Sequence, residues 1–191
     1  MPVLSKPCIF QGSCPGDLGV TEVLWLGRQL CVSKASNIIK VFGSLETALS
    51  YINAAAVKCD AQRRCLWRVY WAVQYLGFYL STGAGKYLRR SIYMLKKSLK
   101  CLSALASDKP VGWVLCLDEC CAYINNARVW VRWVERRLAA VEEGREAILI
   151  LNHVGSVLFE LMRTRPHNVW TGGRLVAALP GDGDWSMPSW W

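Results

Sequence analysis

The chain predicts an all-α fold, an antiparallel bundle of five or six helices with an extended N-terminal arm and a Trp-rich C-terminal tail. Three observations predict it. Apolar residues recur at alternating four- and three-residue spacing from Leu88 to Ala106 and again from Trp113 to Leu138. Gly, Pro and capping residues punctuate the chain between such stretches. No strand pattern of useful length separates them. At 191 residues, with 53% hydrophobic residues, the chain can bury a core without a disulfide framework or a metal, and it is not disordered.

Residues 1–16, with Pro2, Pro7, Gly12, Pro15 and Gly16, read as the extended arm. From Asp17, with Asp17 or Thr21 as cap, Val23, Leu24, Leu26, Leu30 and Cys31 supply a helical stripe that continues through Ile38, Ile39 and Val41. Gly43-Ser44 is a break, and Ser44 caps a helix through Leu45, Leu49, Ile52 and Val57. Asp60 caps the next helix, apolar nearly all round, which runs to about Thr82 and ends at Gly83-Ala-Gly85.

The helix from Lys86 to Ala106 has a seam of Leu88, Ile92, Leu95, Leu99, Leu102 and Ala106. After Ser107-Asp108-Lys109-Pro110, a longer seam takes in Trp113, Leu117, Cys120, Ile124, Ala127, Val131, Val134 and Leu138. A last helix runs from about Arg145 to Arg163, with Ala147, Leu151, Val154, Leu158 and Leu161 on one face. The helical domain is thus residues 17–165. Residues 166–191 are a tail containing Trp170, Trp185, Trp190 and Trp191, and exposed tryptophans are costly unless they dock.

The formal charge of +9 is concentrated in one segment. Residues 61 to 107 hold Arg63, Arg64, Arg68, Lys86, Arg89, Arg90, Lys96, Lys97 and Lys100, and no Asp or Glu. Basic and acidic residues balance over the remainder. These nine cations, with Trp185, Trp190 and Trp191, are the expected contacts to lipid or to a partner. Three partners suit a basic helix with a leucine seam: anionic phospholipid, nucleic acid, or an acidic patch on a neighbouring protein. No zinc-finger, RNP-type or KH-type motif is present, which disfavours nucleic acid.

Cys65 to Gly85 is long enough to cross a bilayer core, which needs about 20 residues. Its Trp and Tyr residues suit the membrane–water boundary better than the bilayer centre. The stretch therefore has two readings, a membrane span or a helix buried in protein. The nine cysteines are an odd number at irregular spacing with no secretory signal, so they read as thiols in a reducing compartment. Cys116-Leu-Asp-Glu-Cys120-Cys121 has no second ligand pair at zinc spacing.

Nothing in the chain matches a catalytic motif. His153 sits mid-helix, His167 follows Pro166 with no nucleophile nearby, and Asp118-Glu119 point in different directions on a helix. Gly83-Ala-Gly85-Lys86 follows a helix and lacks the spacing of a phosphate loop. No catalytic, cofactor-binding or metal-binding residue is assigned.

Residues 60–134 carry a family resemblance. Arg63-Arg64-Cys-Leu-Trp-Arg-Val-Tyr-Trp-Ala-Val-Gln74-Tyr75 is similar to the early basic-apolar stretch of the peroxin-eleven family of organelle-membrane remodelling proteins. Lys86 to Leu105 resembles that family's basic amphipathic helix, and Asn125-Asn126-Ala-Arg-Val-Trp130 its Asp-Asn-x-x-Trp segment. The resemblance implies membrane association and curvature generation through the Lys86–Ala106 helix.

The expectation from the residues is a non-catalytic accessory subunit of an organellar membrane complex, mitochondrial rather than peroxisomal. It would touch lipid headgroups and neighbouring subunits. A peroxin-like remodelling protein and an RNA-binding subunit of a ribonucleoprotein are the alternatives.

Overall fold

The long apolar stretches fold as α1 (Asn37–Lys58), α2 (Arg63–Thr82), α3 (Gly85–Ser103), α4 (Glu119–Ala139) and α5 (Arg145–Arg163). The computed structural model describes residues 16–103, 112–141, 143–171 and 174–177. The N-terminal arm up to residue 15, Ala106, and Trp185, Trp190 and Trp191 lie outside the described residues. The helices close a ring of neighbours, in which α1 packs on α2 and α4, α4 on α5, α5 on α3, and α3 on α2.

The fold is helical but not all-α. Short strands β1 (Val20–Trp25) and β2 (Arg28–Ser33) pair antiparallel, and β3 (Trp113–Cys116), β4 (His167–Thr171) and β5 (Arg174–Ala177) form a second antiparallel sheet in the order β3-β4-β5. The first correction is the hairpin, where a helix was expected. Val23, Leu24, Leu26, Leu30 and Cys31 fit a helical stripe, but in β1 exposed and half-buried residues alternate up to the buried Trp25. Leu26 and Gly27, at φ 47° and 83°, make the two-residue turn whose left-handed geometry suits a hairpin. A side chain at Gly27 would meet the Thr82 carbonyl at 2.9 Å, and one at Gly83 the Leu26 carbonyl at 2.7 Å. Two glycines thus let the hairpin turn lie on the end of α2, where Leu26 N–H donates to Leu80 O (2.7 Å) and Gly27 N–H to Ser81 O (2.9 Å).

The helix boundaries show what the periodicity could and could not place. α5 occupies the expected range, and α2 ends at Gly83 in the left-handed conformation. α1 is unbroken. Ser36 caps it, accepting from Ile39 N–H, while Ser44 turns back to donate to Lys40 O (2.7 Å). Gln62, not Asp60, holds the cap position of α2, and Asp60 pairs with Arg63. The seam expected from Trp113 is helical only from Cys120 onward: Cys120, Ile124, Ala127, Val131, Val134 and Leu138 are all buried. Asp118 starts α4 by accepting from Cys121 N–H (2.7 Å), while Trp113 and Leu117 stay exposed on the β3 side.

The α3 seam is rotated from its expected position. Leu95 and Leu102 are buried, but Ile92 and Leu99 are exposed, and the fully buried Ser91 and Ser98 take their places. Ser91 donates to Ala72 O (2.7 Å) on α2 and Ser98 to Leu95 O (2.7 Å), so the hydroxyls are satisfied and the small side chains let α3 approach closely.

Six cysteines pair, which corrects the expectation of thiols and removes the basis for a reducing compartment. Cys59–Cys120 joins the end of α1 to the start of α4, Cys65–Cys101 joins α2 to α3, and Cys116–Cys121 joins β3 to α4. Cys31 is an exposed thiol. The two readings of Cys65 to Gly85 also resolve. α2 buries one stripe, including Cys65, Leu66, Val69, Val73, Leu76 and Leu80, in the bundle. Among the described residues no helix is long and apolar enough to cross a membrane.

Candidate functional site

Among the described residues, three clefts lie along α4 and α5 and beneath the β1–β2 hairpin. On α4, Arg128, Arg132 and Glu135 are spaced four and three residues apart, beside the buried seam, so one helix face carries all three. The α5 residues opposite them are Asn152, Gly155, Ser156 and Phe159. Arg132 Nη1 donates to Glu135 Oε2 (2.8 Å) and to Asn152 Oδ1 (2.6 Å). A side chain at Gly155 would reach Arg132 Cδ at 3.2 Å, so the missing side chain leaves the groove in which the Arg132 stem lies. The guanidinium is fixed from both helices.

Arg128 sits one turn earlier. Its Nε and Nη2 donate to Asn125 Oδ1 (3.2 and 3.1 Å), and its guanidinium lies 5.7 Å from the Phe159 ring centroid. Arg163 approaches the same ring at 5.7 Å and is held by both Glu160 oxygens at 3.0 Å. Burial, and then the like charge of Arg132, pull Arg128 below the usual guanidinium value. A neutral amide is its only polar side-chain contact among these bonds, so an added anion would relieve the repulsion between the two cations.

Two clefts meet at Arg132. One, about 730 Å³, is lined by Arg132, Glu135, Arg145 and Asn152 with an apolar wall of Val141, Ile148 and Leu149. The other, about 300 Å³, is lined by Arg128, Arg132, Gly155, Ser156, Phe159 and Glu160. A third, about 440 Å³, continues past Ala140 and Val141 to Trp25, Arg28 and Glu143 under the hairpin. Trp25 Nε1 donates to Glu143 Oε2 (3.0 Å), and Arg28 pairs with the same carboxylate. Paired guanidiniums beside an apolar wall are suited to an organic molecule that carries phosphates.

The residues expected as lipid or partner contacts lie elsewhere. Arg63 is structural, donating to Ala56 O and Val57 O (both 3.1 Å) across the α1–α2 corner. Arg68 donates to Lys97 O (2.8 Å). Lys86, Arg90 and Lys97 lie over the Tyr87, Tyr75 and Tyr93 rings, and Arg64, Arg89, Lys96 and Lys100 are exposed. None of the nine lines the α4–α5 clefts. Arg128, Arg132 and Asn152 belong to no recognisable motif in the sequence. The available signal was that both arginines sit one turn apart beside the apolar seam of α4.

Solved structures share this fold. A Phe-to-His variant of a PduO-type ATP:corrinoid adenosyltransferase from Lactobacillus reuteri, complexed with cobalamin and ATP, matches with a TM-score of 0.62 at 14% identity, covering 86% of this chain and 92% of that one. A Phe-to-Ala variant of the same enzyme, also with cobalamin and ATP, gives 0.61 at 13% identity over 78% and 89%. An Arg-to-Lys variant complexed with ATP gives 0.59 at 14% over 77% and 89%. At the sequence level no curated protein matches.

A family model described as cobalamin adenosyltransferase matches residues 12–165. This overturns the peroxin-eleven resemblance, which rested on a basic amphipathic pattern that any helical bundle with a charged face can show. It equally overturns the non-catalytic accessory subunit of an organellar, mitochondrial membrane complex, the RNA-binding alternative, and the lipid and membrane-subunit partners. The matched residues belong to a family of enzymes, and no described helix can cross a membrane. The matched segment contains all five described helices and the α4–α5 clefts, and the chain belongs to the cobalamin adenosyltransferase family.

Proposed function

We propose that this chain is an ATP:corrinoid adenosyltransferase whose triphosphate site is built around Arg128 and Arg132. The observation that carries the reading is the pair of guanidiniums, set one helical turn apart beside clefts in a chain of this family. Moving the adenosyl group from ATP to a corrinoid breaks the bond between the ribose C5′ and the triphosphate oxygen. The electron pair of that bond leaves with the triphosphate, while the corrinoid cobalt supplies the pair for the new bond. Negative charge therefore grows on the triphosphate, and preorganised cations stabilise it where it develops. Arg132 suits that task because Glu135 and Asn152 fix it before substrate arrives. Arg128 adds a second charge, oriented by Asn125 and the Phe159 ring. The apolar wall of Val141, Ile148 and Leu149 offers contact area to the organic parts of the substrates.

The test incubates the full-length chain with ATP and chemically reduced cobalamin, following adenosylated product by absorbance and triphosphate by chromatography. Stoichiometric formation of both is expected. Arg132→Ala should lower kcat/KM by about 100-fold or more, the scale for losing one preorganised charge stabiliser. A folded wild-type chain that neither binds ATP nor forms product would overturn the reading.

A further inference from the structure

The outward face of α2 and α3 lines none of the clefts described above and carries several exposed rings. Trp67, Trp71 and Phe78 are 37%, 42% and 40% exposed on α2, and Tyr93 is 55% exposed on α3. A line of rings joins the two helices. Successive centroids from Trp67 through Tyr70, Trp71, Tyr75 and Phe78 to Tyr87 are 5.4 to 6.3 Å apart. Monomeric soluble proteins rarely leave a contiguous apolar strip of this kind in water. Cations cover it. Arg90 lies 5.7 Å from the Tyr75 centroid, Lys86 5.0 Å from Tyr87, and Lys97 4.5 Å from Tyr93. Residues 61 to 107 contain no acidic residue to neutralise them. No ion pair in the described structure involves Lys86, Arg90 or Lys97.

We infer that this face is a docking surface for a partner protein that presents carboxylates among apolar side chains. Charge complementarity sets the sign of the partner, since Lys86, Arg90 and Lys97 cover the rings with no ion pair among the described residues. The rings set its second property. Trp, Tyr and Arg are the residues that carry most binding energy at protein interfaces, where a rim of charge surrounds desolvated aromatics. A single-stranded nucleic acid would instead need parallel ring platforms for its bases. Here the Trp67–Tyr70, Tyr70–Trp71 and Tyr75–Phe78 pairs meet at 72°, 89° and 63°, presenting edges and faces in alternation. The surface is separate from Arg128 and Arg132, so docking leaves the clefts accessible and does not depend on the proposed reaction.

The experiment places a photoreactive benzoylphenylalanine at position 71 of the full chain, expressed in its native cells, with the same probe at the exposed Val57 as control. The expected result is one dominant adduct, specific to position 71, to a different protein whose cross-linked peptide is rich in Asp and Glu. Arg90→Glu with Lys97→Glu should reduce that adduct and the affinity of the purified pair at least tenfold. Thermal stability and catalytic turnover should stay unchanged. Adducts to a second copy of this chain, to RNA or to lipid, or an adduct indifferent to the charge reversals, would overturn the inference. So would the absence of any position-specific adduct.

Discussion

The two ends of the bundle are held by different chemistry. At the end where α1 finishes and α4 begins, Cys59–Cys120, Cys65–Cys101 and Cys116–Cys121 fasten every helix except α5. There α5 is tied down by Gln62 donating to Thr164 Oγ1 (2.8 Å), and the Arg165–Asp118 ion pair follows directly. At the opposite end the β1–β2 turn rests on α2 through two backbone hydrogen bonds, and Trp25 and Arg28 reach Glu143. The larger clefts open at this second, non-covalent end. The difference separates a covalently stapled end from one held by hydrogen bonds and an ion pair, beside which the two larger clefts open. Cross-links restrict the unfolded chain, whereas ligand sites draw on parts of the structure that open at low free-energy cost.

The sharpest way to break this comparison is at the stapled end. Cys59–Cys120 spans 61 residues, and chain-entropy arguments assign such a link roughly 4 kcal/mol. Replacing both cysteines with serine should therefore lower the unfolding free energy from urea titration by roughly 4 kcal/mol, while turnover well below the melting temperature stays within about threefold. A loss of turnover that tracks stability would show that the two ends are not independent. At the other end Arg132→Ala should do the reverse. About 3 kcal/mol of transition-state stabilisation disappears, read as the fall in kcat/KM, while the urea midpoint hardly moves.

Smaller effects refine the picture. Trp25→Phe keeps a buried ring but deletes the donor to Glu143, which should cost about 1 kcal/mol. Hydrogen exchange at the Leu26 and Gly27 amides should then quicken while protection in α4 is retained. The least effect concerns Tyr79, whose hydroxyl donates to Glu146 Oε2 at 3.4 Å beside the open end. Burial, then the Glu146 charge, raises its pKa above the usual phenol value of 10.0. A raised folded pKa means that stability is fully present below pH 10 and declines as the pH rises through the folded value. Tyr79→Phe should therefore flatten the fall of the urea midpoint as the pH rises above 10.

The helices were legible because burial in a bundle imposes the period that the sequence displays. α5 and the core of α4 from Cys120 to Leu138 follow from spacing alone. The β1–β2 hairpin was not legible, since a short run of apolar residues satisfies a helical stripe and a strand alternation equally well. What decided it was the left-handed Leu26-Gly27 turn and its seat against Gly83. Most of the candidate site was invisible for a different reason. Arg132 gains meaning only from Asn152 and Gly155, twenty and more residues later, which meet it across two antiparallel helices.

Composition and periodicity by themselves determined a largely helical chain with one acid-free basic segment from 61 to 107. These are properties of local spacing and charge, which no packing can alter. Tertiary structure alone decided which cysteines pair, which edge of α3 is covered, and which arginines face each other at a cleft. Each of those depends on contacts between residues remote in sequence, and a one-dimensional pattern records what a helix can bury but not what it will be buried against.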